Sequence, residues 1–469
     1  MTTQTVIDLA RGSFVHALEA AEPGRLVAAH LPEQPPDLIL AVGKGALGML
    51  AVARERAPTA AWLATPPAGV ASGPHLVADA GDSPLPGVSG VMHGTHPLPG
   101  PESEAAAAAA LAAVARLDGS HTVLVLVSGG GSSLWSAPRG VDLAEKRDLT
   151  RRLLLAGADI GQLNTVRKHL SSIKGGRLAK ATRARVLTLA LSDVPGDDPG
   201  TIASGPTTTD PTTYQAAVAV LDEYGIESAS ARAHLLAGVR GEVEETPKPG
   251  DELEARSTFT LVASNRTLLD AAAAYWRLHG FVTVQLSDAL QGDARELARA
   301  HADAAAAVVR GDDPSHALAV LARLGEGART VKAVAAAAAM AAGPGPHRGL
   351  VLLSGGEATV TVTGSGRGGR NQEFALWLHH YLKRDGVDGH VTAIVAGSDG
   401  VDGNSPAAGA VISPLTAQKA AAAGLSAAAY LSDNDSHGFF ARLHGTVDTG
   451  PTGTNLNDYR ALVIQPTGP

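Results

Sequence analysis

A chain of 469 residues is too long for one core of ordinary size, so two or three domains are expected. With 18% charged residues, a formal net charge of -8 and no basic stretch denser than Arg151-Arg152, it carries no electrostatic footprint for nucleic acid. The absence of cysteine removes disulfides, thiolate metal sites and a cysteine nucleophile, and favours a cytoplasmic setting. The N-terminus lacks the basic and apolar regions of a signal peptide. The alanine-rich runs 105–115 and 333–342 fall short of the roughly 20 apolar residues that cross a membrane, so no membrane partner is expected.

Residues 5–31 read as helical, with Val6, Leu9, Phe14 and Leu18 on one face. Asp37 to Val42 reads as a buried strand that runs directly into Gly43-Lys44-Gly45-Ala46-Leu47-Gly48. Strand, G-x-G-x-x-G and helix form the context of a dinucleotide fingerprint. No Asp or Glu closes the following segment, Trp62 to Thr65, to hold a ribose, and a lysine among the glycines suits a phosphate better. A tight turn with an exposed lysine would leave the same sequence. His93 and His96 lie in a proline-punctuated loop with no third metal ligand nearby, and an alanine-rich helix follows over 102–117.

Val123 to Val127 reads as a buried strand ending on Ser128-Gly129-Gly130-Gly131-Ser132-Ser133. Glycines and hydroxyls at the carboxyl end of a parallel strand are where open α/β sheets bind ligands. The loop is not a P-loop, and G-x-S-x-G is absent. A helix is expected over 142–156. The run Gln162 to Ala181 places Arg167, Lys168, His169, Lys174 and Arg177 around Gly175-Gly176. A solvated helix face is its plainer reading, and the Gly-Gly keeps a functional one open. The strand Val186 to Leu191 feeds a loop carrying Asp193, Asp197 and Asp198, which suits Mg²⁺ or general-base chemistry, although Asp-rich turns also form for backbone reasons.

Glu242 to Glu254 is acidic and contains two prolines, which places a domain boundary near residue 250 and divides the chain into 1–250 and 251–469. Strands are expected over 258–262 and 281–286, with a helix between them, and helices over 293–309 and 327–342. The stretch Leu350 to Phe374 is the densest in signals. A buried strand, Leu350 to Leu353, ends on Ser354-Gly355-Gly356-Glu357, and the alternation from Ala358 to Thr363 predicts a second, half-buried strand. Gly364, Gly366, Gly368 and Gly369 then interleave with Arg367 and Arg370, and Asn371, Gln372 and Glu373 precede a helix from Phe374. Glycine amides and a helix N-terminus suit an anion, and Arg370 suits phosphate or carboxylate. A flexible hairpin turn is the alternative. The strand His390 to Val395 ends on a loop with Asp399, and a last strand spans Tyr459 to Ile464.

Strands alternating with helices predict an α/β protein with largely parallel sheets, and the strand ending at Thr363 hints at a mixed sheet in the second domain. Lysine, arginines, carboxylates and Gly/Ser loops at strand ends are an inventory suited to phosphoryl transfer.

The motifs AVGKGALGM, HPLPGPES, VSGGGSSL, LNTVRKHLSSIKGGRLA, LSDVPGDDPGTIASGPT, LSGGEATVTVTGSGRGGRNQEFAL, AGSDGVDG and GPTGTNLND occur in this order over nearly the whole chain. Together they resemble the glycerate 2-kinase family, the two-domain type with a C-terminal MOFRL domain. The segment from about 210 to 260 carries no recognisable motif. The resemblance implies a Rossmann-like N-terminal domain, a smaller α/β MOFRL domain with a mixed sheet, and an active site in the cleft between them. It implies ATP- and Mg²⁺-dependent phosphorylation of D-glycerate at its 2-hydroxyl to give 2-phosphoglycerate and ADP. Lys44 and Arg370 occupy the positions that the resemblance marks as central. Asp193 is expected to serve metal or base, with Asp197 as the next metal ligand. Gly129, Gly130, Gly131 and Ser132 would cradle phosphate, and Glu357, Asn371 and Asp399 would complete the nucleotide and substrate contacts. Homodimerisation is left open. Relatives of this type have also carried the name hydroxypyruvate reductase, and an NAD(P)H-dependent reductase is the alternative that Gly43 to Gly48 superficially supports.

Overall fold

The computed structural model describes residues 1–69, 85, 87–325, 330–343 and 347–465. Its contacts divide the chain into two compact units, Glu22–Ala263 and Met1–Ala21 with Ser264–Pro469.

The unit Glu22–Ala263 is built on strands β1 (Leu38–Val42), β2 (Ala61–Thr65), β3 (Gly90–Val91), β4 (Thr122–Val127), β5 (Arg185–Leu191) and β6 (Ser257–Ala263). They form one parallel sheet in the order β3-β2-β1-β4-β5-β6. Every residue of β1 is buried, and β4 is buried beyond Thr122, which is why both read as continuous apolar runs. Leu40, Val42, Val125 and Val127 pack with Ala106, Ala110 and Ala113 of the helix Pro101–Val114. Small alanines let that helix lie close to the sheet, so few aromatics are needed. The strand order reverses between β1 and β4, the switch point at which sheets of this Rossmann-like type take ligands. A second core joins the helices Leu143–Leu155, Ile160–His169, Tyr214–Glu223 and Ala229–Val239 through Leu153, Val166, Leu221 and Leu235.

The other unit carries β7 (Val282–Asp293), β8 (Leu350–Thr359), β9 (Val391–Gly397), β10 (Gly409–Ile412), β11 (Thr446–Val447) and β12 (Asp458–Ile464) in the order β11-β10-β9-β12-β8-β7. Only β7 and β8 pair in parallel. The sheet is mixed, as expected, but for a different reason. The last strand inserts antiparallel between β8 and β9, whereas the predicted strand ending at Thr363 does not form. Instead β8 continues through Ser354-Gly355-Gly356-Glu357 and stops at Thr359.

The helix predicted over 5–31 is two helices, Thr3–Ala20 and Pro23–Ala28. Glu22 ends the first run by capping the second, its carboxylate accepting from the Gly24 and Arg25 amides, with Pro23 in the first helical position. The first helix packs with the second half of the chain. Ser13 Oγ lies 2.9 Å from Tyr459 Oη, and the Phe14 and Tyr459 rings are 5.3 Å apart. The first unit also extends past residue 250, because β6 pairs with β5. The boundaries by contact therefore fall at 21/22 and 263/264, where the sequence had suggested 250/251. The run 162–181 likewise splits, into the helices Ile160–His169 and Arg177–Lys180. The helix expected over 327–342 is present as Thr330–Ala342, its first three positions lying outside the described residues. Among the described residues no helix is long and apolar enough to cross a membrane.

Candidate active site

At the switch point of the parallel sheet, the loops after β1 and β4 are bonded to each other. Lys44 N donates to Gly129 O at 2.9 Å, and Gly45 N donates to Ser128 Oγ at 2.9 Å. Gly43 has φ +118°, and a Cβ there would lie 2.2 Å from Ser128 Oγ, so only glycine lets the loops meet. The loop carrying Lys44 and the loop Gly129 to Ser132 are thus brought together. His96 lines the same loop, since a Cβ on Gly130 would sit 3.0 Å from its ring. Asp193 and Asp197 stand, partly exposed, on the loop after the neighbouring strand β5.

The cationic run 167–177 is not a solvated face. Lys168, His169, Lys174 and Arg177 are buried. Lys168 pairs with Asp210 at 3.2 Å, and His169 Nε2 lies 2.9 Å from Glu245. Arg177 donates to Tyr214 Oη and Glu244 O, both at 3.1 Å. Arg167 and Lys174 turn the other way, towards the loop after β4. Lys174 Nζ donates to Ser132 O at 2.6 Å and to Ser132 Oγ at 3.1 Å, and Arg167 Nη2 donates to the same Oγ. With its lone pairs taken, the Ser132 hydroxyl must donate its proton to Ser204 Oγ, 2.8 Å away, which passes its own to Asn164 Oδ1 at 3.3 Å. Burial, reinforced by Arg167 and Lys146, holds the Lys174 ammonium well below its ordinary pKa. Burial and Arg167 likewise lower Lys146 to about 7, against a smaller opposing pull from Glu104.

In the mixed-sheet unit, Glu357, Arg370, Asn371 and Asp399 gather where β8 and β9 end beside the start of β12. The helix here is Arg370–Arg384, so it starts at Arg370 rather than Phe374, and Asn371 and Gln372 lie in its first turn. Arg370 Nε donates to Asp458 Oδ1 at 2.7 Å, and its Nη1 to Glu357 Oε1 at 2.9 Å. Asp458, fully buried, also accepts from Asn371 Nδ2, Arg460 Nη2 and the Ala358 amide, at 3.0, 2.6 and 3.0 Å. Burial would raise its carboxyl, but Arg370 and Arg460 outweigh that and hold it below the ordinary range. The helix N-terminus is already filled. Asp402 accepts the Asn371 amide at 2.9 Å and the Gln372 amide at 2.8 Å, as a capping carboxylate supplied by another loop. Burial, against those two amide bonds, leaves the Asp402 carboxyl raised to about 6.

The glycines before this helix do not form the open anion cradle that their sequence suggested. The amides of Thr363 and Gly364 donate to Asn434 Oδ1 at 2.8 and 2.9 Å, and that of Ser365 to Asp433 Oδ1 at 2.9 Å. The Gly366 amide donates to Asp433 O at 2.9 Å, Arg367 N to Asp435 Oδ1 at 3.1 Å, and Gly368 N to Asn404 Oδ1 at 2.8 Å. A Cβ at 364, 366, 368 or 369 would lie 2.1–2.4 Å from atoms of residues 402 or 433–436. Close backbone docking demands these glycines. Sequence reasoning missed Asp402 and Asp458 as organisers of the site; their signal lay in the motifs AGSDGVDG and NLND, each placing an Asp just beyond or at a strand end.

Residues 9–236 match the family described as a domain of unknown function, DUF4147, and residues 350–458 match the MOFRL family. A protein of Agrobacterium vitis, provisionally named a hydroxypyruvate reductase, is 40% identical over 97% of this chain and 93% of its own length. The glycerate 2-kinase of Pyrococcus horikoshii is 34% identical over 80% of this chain and 78% of its own. A crystal structure of glycerate kinase from Thermotoga maritima superposes with a TM-score of 0.78 at 33% identity, over 98% of this chain and all (100%) of that one. The chain belongs to the glycerate 2-kinase family, the type that carries a MOFRL domain.

Proposed function

We propose that the protein transfers a phosphoryl group from ATP, with Mg²⁺, to the 2-hydroxyl of D-glycerate, giving 2-phosphoglycerate and ADP in the cytoplasm. The observation that carries this reading is the lysine-bearing loop after β1 bonded to the Gly/Ser loop after β4 at the switch point of a parallel sheet. Phosphoryl transfer asks the protein chiefly to position groups and neutralise charge. Lys44 supplies positive charge to phosphoryl oxygens, and the loop Gly129 to Ser132 supplies backbone amides. Arg370 is held in one orientation by Glu357 and Asp458. Because those carboxylates already offset its charge, its contribution is directional N–H donation to a phosphoryl or carboxylate oxygen. Glu357, Asn371 and Asp399 complete the ligand contacts at that end of the mixed sheet.

Among the described residues no group of three His, Asp or Glu side chains is arranged to hold a metal ion. The carboxylates on the loop after β5, Asp193 and Asp197, would hold Mg²⁺ together with nucleotide phosphates, the arrangement that this ion commonly takes. When bound, Mg²⁺ supplies charge neutralisation on the phosphates. Asp193 is also assigned as the group that takes the proton of the acceptor hydroxyl.

The reductase reading has one observation in its favour beyond the A. vitis name, namely the strand, G-x-G-x-x-G and helix context at β1. Against it, β2 ends on Thr65, whose Oγ1 accepts from Trp135 Nε1 at 3.1 Å, where a dinucleotide site would present an acid to the ribose. The two readings separate in paired cuvettes. ADP formation that depends on D-glycerate and Mg²⁺, with no NADH oxidised by hydroxypyruvate, is the expected result; the reverse pattern would overturn the kinase.

A further inference from the structure

Buried Lys168, His169 and Arg460 each face a carboxylate, whereas buried Arg177 donates to the Tyr214 hydroxyl and a carbonyl. Partly buried Arg167 and buried Lys174 also lack a carboxylate, and unlike Arg177 they converge on one residue, Ser132. Their hydrogen-bond acceptors are the Ser132 hydroxyl and carbonyl and the Asn164 amide oxygen, all neutral. Lys146, also buried, donates to Leu170 O at 2.7 Å. Among the described residues none of these three side chains has an ion pair.

Two cations converging on one neutral oxygen, with a third in electrostatic reach, repel one another in a region poor in water. If carbonyls and a serine only needed neutral donors, amide or hydroxyl side chains would serve without that repulsion. The Ser132 proton points away, to Ser204 and on to Asn164, so Ser132 presents its lone pairs to the cations rather than a donor that competes for them. Ser132 lies on the loop that is bonded to the Lys44 loop, so the cluster adjoins the switch point of the sheet.

We infer that Arg167, Lys174 and Lys146, gathered around Ser132, form a subsite for an oxyanion of a ligand, a carboxylate or a phosphate group, distinct from the contacts made by Lys44 and Arg370. The inference rests on the kinase reading for the identity of the ligands, and on the uncompensated cations for the site itself. An incoming oxyanion supplies the missing negative charge and favours the charged forms of Lys174 and Lys146. Arg167 offers it a planar fork and Lys174 a point charge.

The test is isothermal titration calorimetry of the full chain with three probes added singly: D-glycerate, inorganic phosphate and metal-free ADP. Wild type is compared with Arg167→Met and Lys174→Met. The probe that fills the subsite is expected to bind wild type and to lose about tenfold or more in affinity in both variants. Loss confined to D-glycerate identifies a carboxylate, and loss confined to phosphate and ADP identifies a phosphate. Should either variant fail to fold, Arg167→Lys and Lys174→Arg replace them. In parallel, the wild-type thermal midpoint is measured in each probe against chloride at equal ionic strength. Binding of all probes within twofold of wild type in the variants, or no stabilisation of wild type by any probe, would overturn the subsite. Turnover is read separately. A protein that makes no 2-phosphoglycerate yet loses oxyanion binding in these variants would retain the subsite and lose the reaction assignment.

Discussion

Gly366→Ala separates two explanations of the glycine-rich stretch before the helix Arg370–Arg384. A Cβ at this position would lie 2.4 Å from Asp435 Cβ and 2.6 Å from Asp433 O, more than 1 Å inside ordinary contact. The turn 433–436 would have to move out, which strains or breaks the Gly366 N to Asp433 O bond of 2.9 Å and the Arg367 N to Asp435 Oδ1 bond of 3.1 Å. Overpacking costs about 1–3 kcal/mol, and each lost hydrogen bond adds about 1 kcal/mol. A destabilisation of roughly 3–5 kcal/mol is therefore expected, read from urea unfolding followed by circular dichroism. Nucleotide affinity of the remaining folded protein should stay near wild type. If stability is unchanged within about 0.5 kcal/mol while nucleotide binding collapses, the glycines serve a ligand and the docking argument is wrong.

If Lys44 neutralises the transferring group as proposed, Lys44→Met is expected to lower kcat/KM by roughly 10²–10³ in steady-state assays of the folded protein. Arg370→Met should behave differently: it leaves buried Asp458 with Arg460 as its remaining ion-pair partner. With the Arg370 side chain 30% exposed, a loss of about 2 kcal/mol in unfolding free energy is expected, with Arg370→Lys recovering part of it, and activity should fall further than the unfolded fraction explains. Asp402, raised to about 6 chiefly by burial, binds its proton more tightly folded than unfolded. Its contribution to stability is thus complete below about pH 4 and lost as pH rises through about 6. Urea titrations at pH 4.5 and 7.5 should show wild type losing about 2 kcal/mol relative to Asp402→Asn across that interval.

The parallel sheet was legible because β1 and β4 are buried on both faces and so read as nearly unbroken apolar runs with glycine-rich exits, while β5 is a mostly apolar run ending on an Asp-bearing loop. Those exits led directly to Lys44, Ser132 and Asp193. What the sequence concealed was the partner of each loop. Gly364 to Gly369 reads the same whether its amides face a ligand or residues 433–436, and only the fold decides. The membership of helix Thr3–Ala20 was hidden for a similar reason, since an amphipathic face does not say which sheet it covers. Burial of Lys174 was also unreadable from its charge, although one clue was present. No Asp or Glu stands three or four residues from Arg167 or Lys174, as it commonly would on a solvated helix laced with ion pairs.

The most direct test of the central reading is ³¹P NMR of the product formed from D-glycerate, ATP and Mg²⁺ by the purified protein. The account predicts a phosphomonoester resonance coupled to the carbon-2 proton, that of 2-phosphoglycerate. A 3-phosphoglycerate resonance would keep a kinase but contradict the assigned acceptor hydroxyl, and the absence of any phosphorylated product would contradict the kinase itself.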